Sequence, residues 1–82
     1  MNKYIEIDNR MFIRFKSQNL WLEIESDNSR VYSYKTYIGF IDWQNHIFNT
    51  WGYKRYSRTT SKQITTLCKY YGLKLNKIEE LL

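Results

Sequence analysis

The hydrophobic pattern of this chain changes period once. Up to about residue 51 apolar side chains alternate with polar ones, and from about residue 60 they recur at helical spacing. Strands followed by helices predict an α+β domain, with the helices on one face or end of an antiparallel sheet. Ile5 and Ile7 flank Glu6, and Asp8-Asn9 follows as a turn pair that tolerates left-handed backbone. Met11, Ile13 and Phe15 alternate with Phe12, Arg14 and Lys16; Leu20, Leu22 and Ile24 alternate with Trp21, Glu23 and Glu25. Arg30–Ile41 reads as one long strand. Its more apolar side, Tyr32, Tyr34, Ile38 and Phe40, is expected to face the core, and Val31, Ser33, Lys35, Tyr37, Gly39 and Ile41 to face away. Gly39 inside a strand marks a bulge or a close neighbour such as a ring. Residues 42–46 form a hairpin loop, and residues 47–51 return.

Ile64, Leu67, Cys68 and Tyr71 share one face of a helix over about 60–71. Thr60 and Gln63 have capping-box spacing, and Ser57, Thr59 and Ser61 are alternative caps. Gly72 suits the left-handed residue that ends a helix, with Leu73 packing back. A short second helix is expected over about 76–82, capped by Asn76. The expectation is therefore a single domain over residues 1–82. It has four or five antiparallel strands within about 3–56, one main C-terminal helix and a short terminal helix.

Eighty-two residues suffice for one thin core and are too few for a core plus a deep substrate cavity. With 43% hydrophobic and 18% aromatic residues, a folded chain is expected rather than a disordered one. No apolar run is long enough to cross a membrane as a helix. Acidic Glu6 stands where a signal peptide is apolar, and one cysteine, Cys68, builds no disulfide framework, so a cytoplasmic location is expected. The net charge of +5 is unevenly spread. Residues 1–29 hold four basic and five acidic side chains, whereas residues 30–78 hold nine basic ones against Asp42 alone. That half of the chain projects a positive field toward phosphate or an acidic protein.

Three constellations carry chemistry. The stretch Trp51-Gly52-Tyr53-Lys54-Arg55-Tyr56-Ser57-Arg58 interleaves aromatic and basic residues just before a helix N-terminus. Rings stack on bases or cap apolar patches, and Lys and Arg hold phosphate or carboxylate. Lys54, Arg55, Arg58 and Lys62 are the first candidates for a partner-binding patch, with Lys35, Tyr37, Trp43 and Tyr53 beside them. Second, Cys68 and Gly72 have the small-residue and glycine spacing of a helix-turn-helix, which would bring Lys74, Asn76 and Lys77 to DNA. Third, Asp42 and His46 lie four apart, but no nucleophile is supplied beside them, and an Asx-type turn is the simpler account. No catalytic residue, metal site or cofactor is expected.

The strand Val31-Tyr32-Ser33-Tyr34-Lys35-Thr36-Tyr37-Ile38 and the helix start Tyr56-Ser57-Arg58-Thr59-Thr60-Ser61-Lys62-Gln63 together resemble small uncharacterised proteins of bacteriophages and mobile elements, over about residues 31–68. Gln63 stands where that pattern commonly has histidine. The resemblance implies a phage or mobile-element accessory protein, a class that includes inhibitors of bacterial defence, anti-CRISPR proteins among them. The expected function is non-enzymatic binding and occlusion of a host macromolecule. The expected partner is a host protein or ribonucleoprotein with an acidic or nucleic-acid surface, or nucleic acid directly, with no membrane involved and an oligomer allowed by exposed sheet edges. The alternative is a small DNA-binding regulator using residues 60–82.

Overall fold

A computed structural model describes residues 4–15, 19–52 and 55–79, without the side chains of Tyr4 and Ile7. Alternation along the first two thirds builds six strands: β1 (Tyr4–Ile7), β2 (Arg10–Arg14), β3 (Leu20–Ile24), β4 (Asn28–Ser33), β5 (Thr36–Asp42) and β6 (Ile47–Trp51). Helix α1 (Arg58–Tyr71) follows, then β7 (Lys74–Ile78). The strands form one seven-stranded sheet in sequence order. Neighbours from β1 to β6 are antiparallel, and β7 pairs with β6 in parallel. A parallel neighbour needs a long crossover, and α1 supplies it.

The expected four or five strands and two helices are thus replaced by seven strands and a single helix. Two errors account for the difference. Arg30–Ile41 is not one strand but a hairpin, β4 and β5, turning at Tyr34 and Lys35 with φ of 51° and 73°. Two positive φ values define the tight turn that matches strand twist, yet neither residue is the Gly, Asn or Asp that normally announces it. The hairpin and its register shift also redistribute the expected faces: Ile38 is in the core and Tyr37 out of it as expected, but Val31, Ser33, Gly39 and Ile41 are exchanged with Tyr32, Tyr34 and Phe40. Val31 and Ser33 are buried with Ile38 and Ile41, while Tyr32, Tyr37 and Phe40 lie on the other side, half-buried.

The second error is the terminal helix. Residues 74–78 are a strand, and residues 80–82 lie outside the described residues. The free edge of β6 decides this conformation. Lys74 N–H donates to the His46 carbonyl and Gly52 N–H to the Ile78 carbonyl, both at 2.8 Å. Backbone bonds to an otherwise open edge outweigh the weak helical tendency of five residues. The helix-turn-helix arrangement is therefore absent: Lys74, Asn76 and Lys77 sit on a strand.

Helix α1 begins at its Ser57 cap, whose hydroxyl accepts from Thr60 N–H, so the Thr60 capping box is not the one used. It ends at Gly72, φ 66°, where the Leu73 N–H returns to the Cys68 carbonyl at 2.8 Å. That is the glycine-terminated helix end, with Leu73 buried as its apolar follower. Ile64 and Leu67 enter the core with Phe15, Leu20, Leu22, Val31, Ile38, Ile41 and Phe48. Cys68 and Tyr71 pack at its margin, on the helix face that the spacing indicates.

A register shift at Val31/Tyr32 leaves Ile38 as the extra residue of β5. Its carbonyl accepts from the Thr50 hydroxyl at 2.7 Å, with the Tyr56 hydroxyl 3.3 Å away. Beside this bulge, the Phe48 ring and the Asn49 carbonyl crowd the space a side chain would need at Gly39. Gly39→Ala should therefore destabilise the protein by about 1–3 kcal/mol. Leu67, fully buried, should cost about 2–5 kcal/mol on replacement by alanine. Chemical denaturation of both variants checks the two values, and an unchanged midpoint for either contradicts the packing described.

Candidate functional site

Pairing register divides the sheet into two faces. The inner face lies under α1. Two buried polar contacts seat the helix there: the Ser33 hydroxyl donates to Gln63 Oε1 at 2.6 Å, and the Thr60 hydroxyl lies 3.4 Å from Ser33. Trp43 closes the other end, its indole N–H donating to Ser29 at 2.9 Å and its ring edge-on to Tyr71 at 5.1 Å.

No element among the described residues covers the opposite, open face. Its side chains satisfy one another instead. Phe12 on β2, Trp21 on β3, Tyr32 on β4, Tyr37 on β5 and Trp51 on β6 place one ring on each of five adjacent strands. Ring centroids lie 5.8 Å apart for Phe12–Tyr32, a diagonal contact across β3, 5.6 Å for Tyr32–Tyr37 and 5.0 Å for Tyr37–Trp51. Trp21 is the cross-strand partner of Tyr32. Arg10 lies 5.2 Å over the Phe12 ring and Arg14 5.9 Å over Trp21, each a cation–π contact.

Glu23 sits in the middle of this face and is only 5% exposed. Arg10 grips it with two 2.7 Å bonds, from Nε to Oε2 and from Nη2 to Oε1. The Tyr32 hydroxyl donates to Oε1 at 2.8 Å and accepts from Arg10 Nη2 at 3.0 Å. A buried carboxylate is tolerable only with such partners. The Arg10 bonds hold the Glu23 carboxyl far below its ordinary value, at about 2, against the opposing effect of burial. Burial pushes the Tyr32 and Tyr37 hydroxyls up. Arg30 reaches Glu25 at 3.3 Å. A cleft of about 340 Å³ opens beside the cluster, lined by Ile5, Arg10, Phe12, Trp21, Tyr32 and Lys35.

The candidates named from sequence separate between the two faces. Lys35 and Tyr37 belong to the open face. Arg55, Arg58 and Lys62 are exposed at the start of α1, on the inner side. There Lys62 lines a second cleft of about 380 Å³ with Tyr34 and Gln63. Trp43 is a packing residue of the inner face, and Tyr53 and Lys54 lie outside the described residues. On β7, Lys74 and Asn76 share the open side with Asn49, to which Asn76 donates at 2.8 Å; Lys77 is on the inner side. Arg10, Phe12, Trp21, Glu23, Tyr32 and Trp51 were missed as site residues. The signal was present at Phe12 and Trp21, large rings at strand positions that alternate away from the core.

Asp42 accepts from the Asn45 side chain at 2.8 Å and from its N–H at 3.2 Å, closing the loop as an Asx turn. Burial raises the Cys68 thiol and so disfavours its nucleophilic form. Among the described residues no group of three or more His, Cys, Asp or Glu is placed to hold a metal ion. No described helix is long and apolar enough to cross a membrane. Comparison with family models, curated proteins and solved structures finds no match to this chain.

The Glu23 cluster makes a pH prediction. Its carboxyl falls from 4.5 to about 2 on folding, so its contribution to stability is complete above about pH 4.5 and is lost as pH falls through about 2. Glu23→Gln should lower the denaturation midpoint at neutral pH, and the gap to the unaltered protein should narrow as pH drops across that window. A gap independent of pH contradicts the ion-pair account.

Proposed function

We propose that this chain is a non-enzymatic binding protein of a phage or mobile element, which grips a host macromolecule with the open face of its sheet and blocks it by occlusion. The observation that carries this reading is the row of five half-buried rings that no element among the described residues covers. Contiguous aromatic surface beyond a scattered residue or two marks an interaction site, and rigid rings lose little entropy when a partner covers them. The resemblance to phage accessory proteins supplies the setting, the cytoplasm of a bacterial host. A defence ribonucleoprotein such as a CRISPR effector is a target of this chemistry, because it combines protein and nucleic-acid surface. With its basic excess the chain does not imitate DNA; it holds an acidic partner.

Affinity capture from a bacterial lysate tests which face binds. Trp21→Ser with Tyr37→Ser should lower affinity for the captured partner about thirtyfold or more, the ~2 kcal/mol or more that anchoring aromatic residues carry. Arg55→Ser, Arg58→Ser and Lys62→Ser together should leave it nearly unchanged. The reverse pattern, in folded variants, moves the interface to the start of α1 and overturns the reading.

A further inference from the structure

Resting on that reading, we infer that the open face binds single-stranded nucleic acid, with unpaired bases stacked on its rings and phosphates held by the cations beside them.

The rings decide the class of partner. Phe12, Trp21, Tyr32, Tyr37 and Trp51 cross five neighbouring strands, and three centroid spacings along the row are 5.0–5.8 Å. Rings held in a sheet surface reach only bases that are free to leave a stack, so a duplex does not satisfy them. The cleft of about 340 Å³ bounded by Phe12, Trp21 and Tyr32 offers a recess for one base, with Arg10 and Lys35 at its wall.

Charge points the same way. The acids of this face are already engaged: Glu23 by Arg10 and Tyr32, Glu25 by Arg30, and Asp42 by Asn45. Glu23 and Glu25 are thus neutralised by arginines, while Asp42 keeps its charge at the loop end of β5, away from the rings. Lys35, at the turn between β4 and β5, and Lys74, on β7, are exposed and have no ion pair among the described residues. Lys35 lines the cleft beside Phe12, Trp21 and Tyr32, and Lys74 pairs with Ile47 on β6, the strand of Trp51, so both are available to the backbone of a strand laid over this face. An acidic protein surface would be served equally well by Arg55, Arg58 and Lys62 on the other side of the molecule, where the described residues form no comparable row of rings. Rings on which bases can stack, with cations nearby for the backbone, are the arrangement a single strand uses.

The test is fluorescence anisotropy with labelled single strands of oligo-dT and oligo-U and with a mixed-sequence duplex of equal length. Both single strands should bind at least about tenfold more tightly than the duplex, and affinity should fall with salt, with a log–log slope of about −0.7 per phosphate contacted. Trp21→Leu with Trp51→Leu keeps apolar bulk and removes stacking; it should cost roughly tenfold or more. Lys35→Ser with Lys74→Ser, at exposed positions that leave the fold unaltered, should make the salt slope shallower by roughly 1–2. Equal or tighter binding of the duplex overturns the inference, as does single-strand binding unaffected by both variants. If no strand binds while a nuclease-resistant lysate partner is lost with Trp21→Ser and Tyr37→Ser, the inference fails and the occluding face stands. If neither a strand nor a lysate partner is held by this face, both fail.

Discussion

One helix cannot cover seven strands. Fourteen residues make a rod about 21 Å long and about 10 Å wide, whereas seven strands at about 4.8 Å spacing span about 29 Å. A single layer of helix on one side leaves the other side to find its own stability. The rest of the molecule follows from this imbalance. The inner face puts Leu, Ile, Val and Phe under α1. The open face uses side chains that bury one another while remaining partly wet.

Glu23 and its partners are the fixed point of that open face. A carboxylate this enclosed would be costly alone, and the bidentate Arg10 with the Tyr32 hydroxyl satisfies it. The same contacts orient the Tyr32 ring and hold Arg10 over Phe12. Tyr32 in turn meets Tyr37, and Tyr37 meets Trp51. Charge satisfaction and ring placement are therefore one network, spread from β2 to β6. A rigid aromatic platform arises from the need to stabilise a face that no second layer covers among the described residues.

The inner face solves a different problem, the position of the helix. Ser57 caps α1 and also touches Thr60, while Thr60 and Gln63 meet Ser33 in a buried polar contact. These groups fix where the helix starts relative to the β4–β5 hairpin. Apolar packing by Ile64 and Leu67 then fixes its depth. Trp43 and Tyr71 close the far end. The residues that looked most like a basic binding patch, Arg55, Arg58 and Lys62, belong to the outward side of this anchoring structure.

Local sequence determined much of this chain. Period-two alternation placed β2 and β3 with inward Phe15, Leu20 and Leu22, because one face of each is buried and the other is not; β1 and β6 were legible as strands, but Ile5 lies on the open side. The Asp8-Asn9 turn and the glycine-terminated end of α1 were legible because positive φ is demanded there and the residues present accept it. Tertiary structure decided the rest. Tyr34 and Lys35 turn left-handed without any local signal, held there by the pairing of β4 with β5. The extra residue at Ile38 lets the hairpin keep Ile38, Gly39 and Ile41 toward the core, and Thr50 and Tyr56 from distant segments stabilise it. Residues 74–78 are strand rather than helix because β6 presents an unpaired edge, a partner that no window of local sequence contains. The open face was hidden for the same reason. Phe12, Trp21, Tyr32, Tyr37 and Trp51 are scattered over forty positions, and only the order of the strands brings their rings into one row.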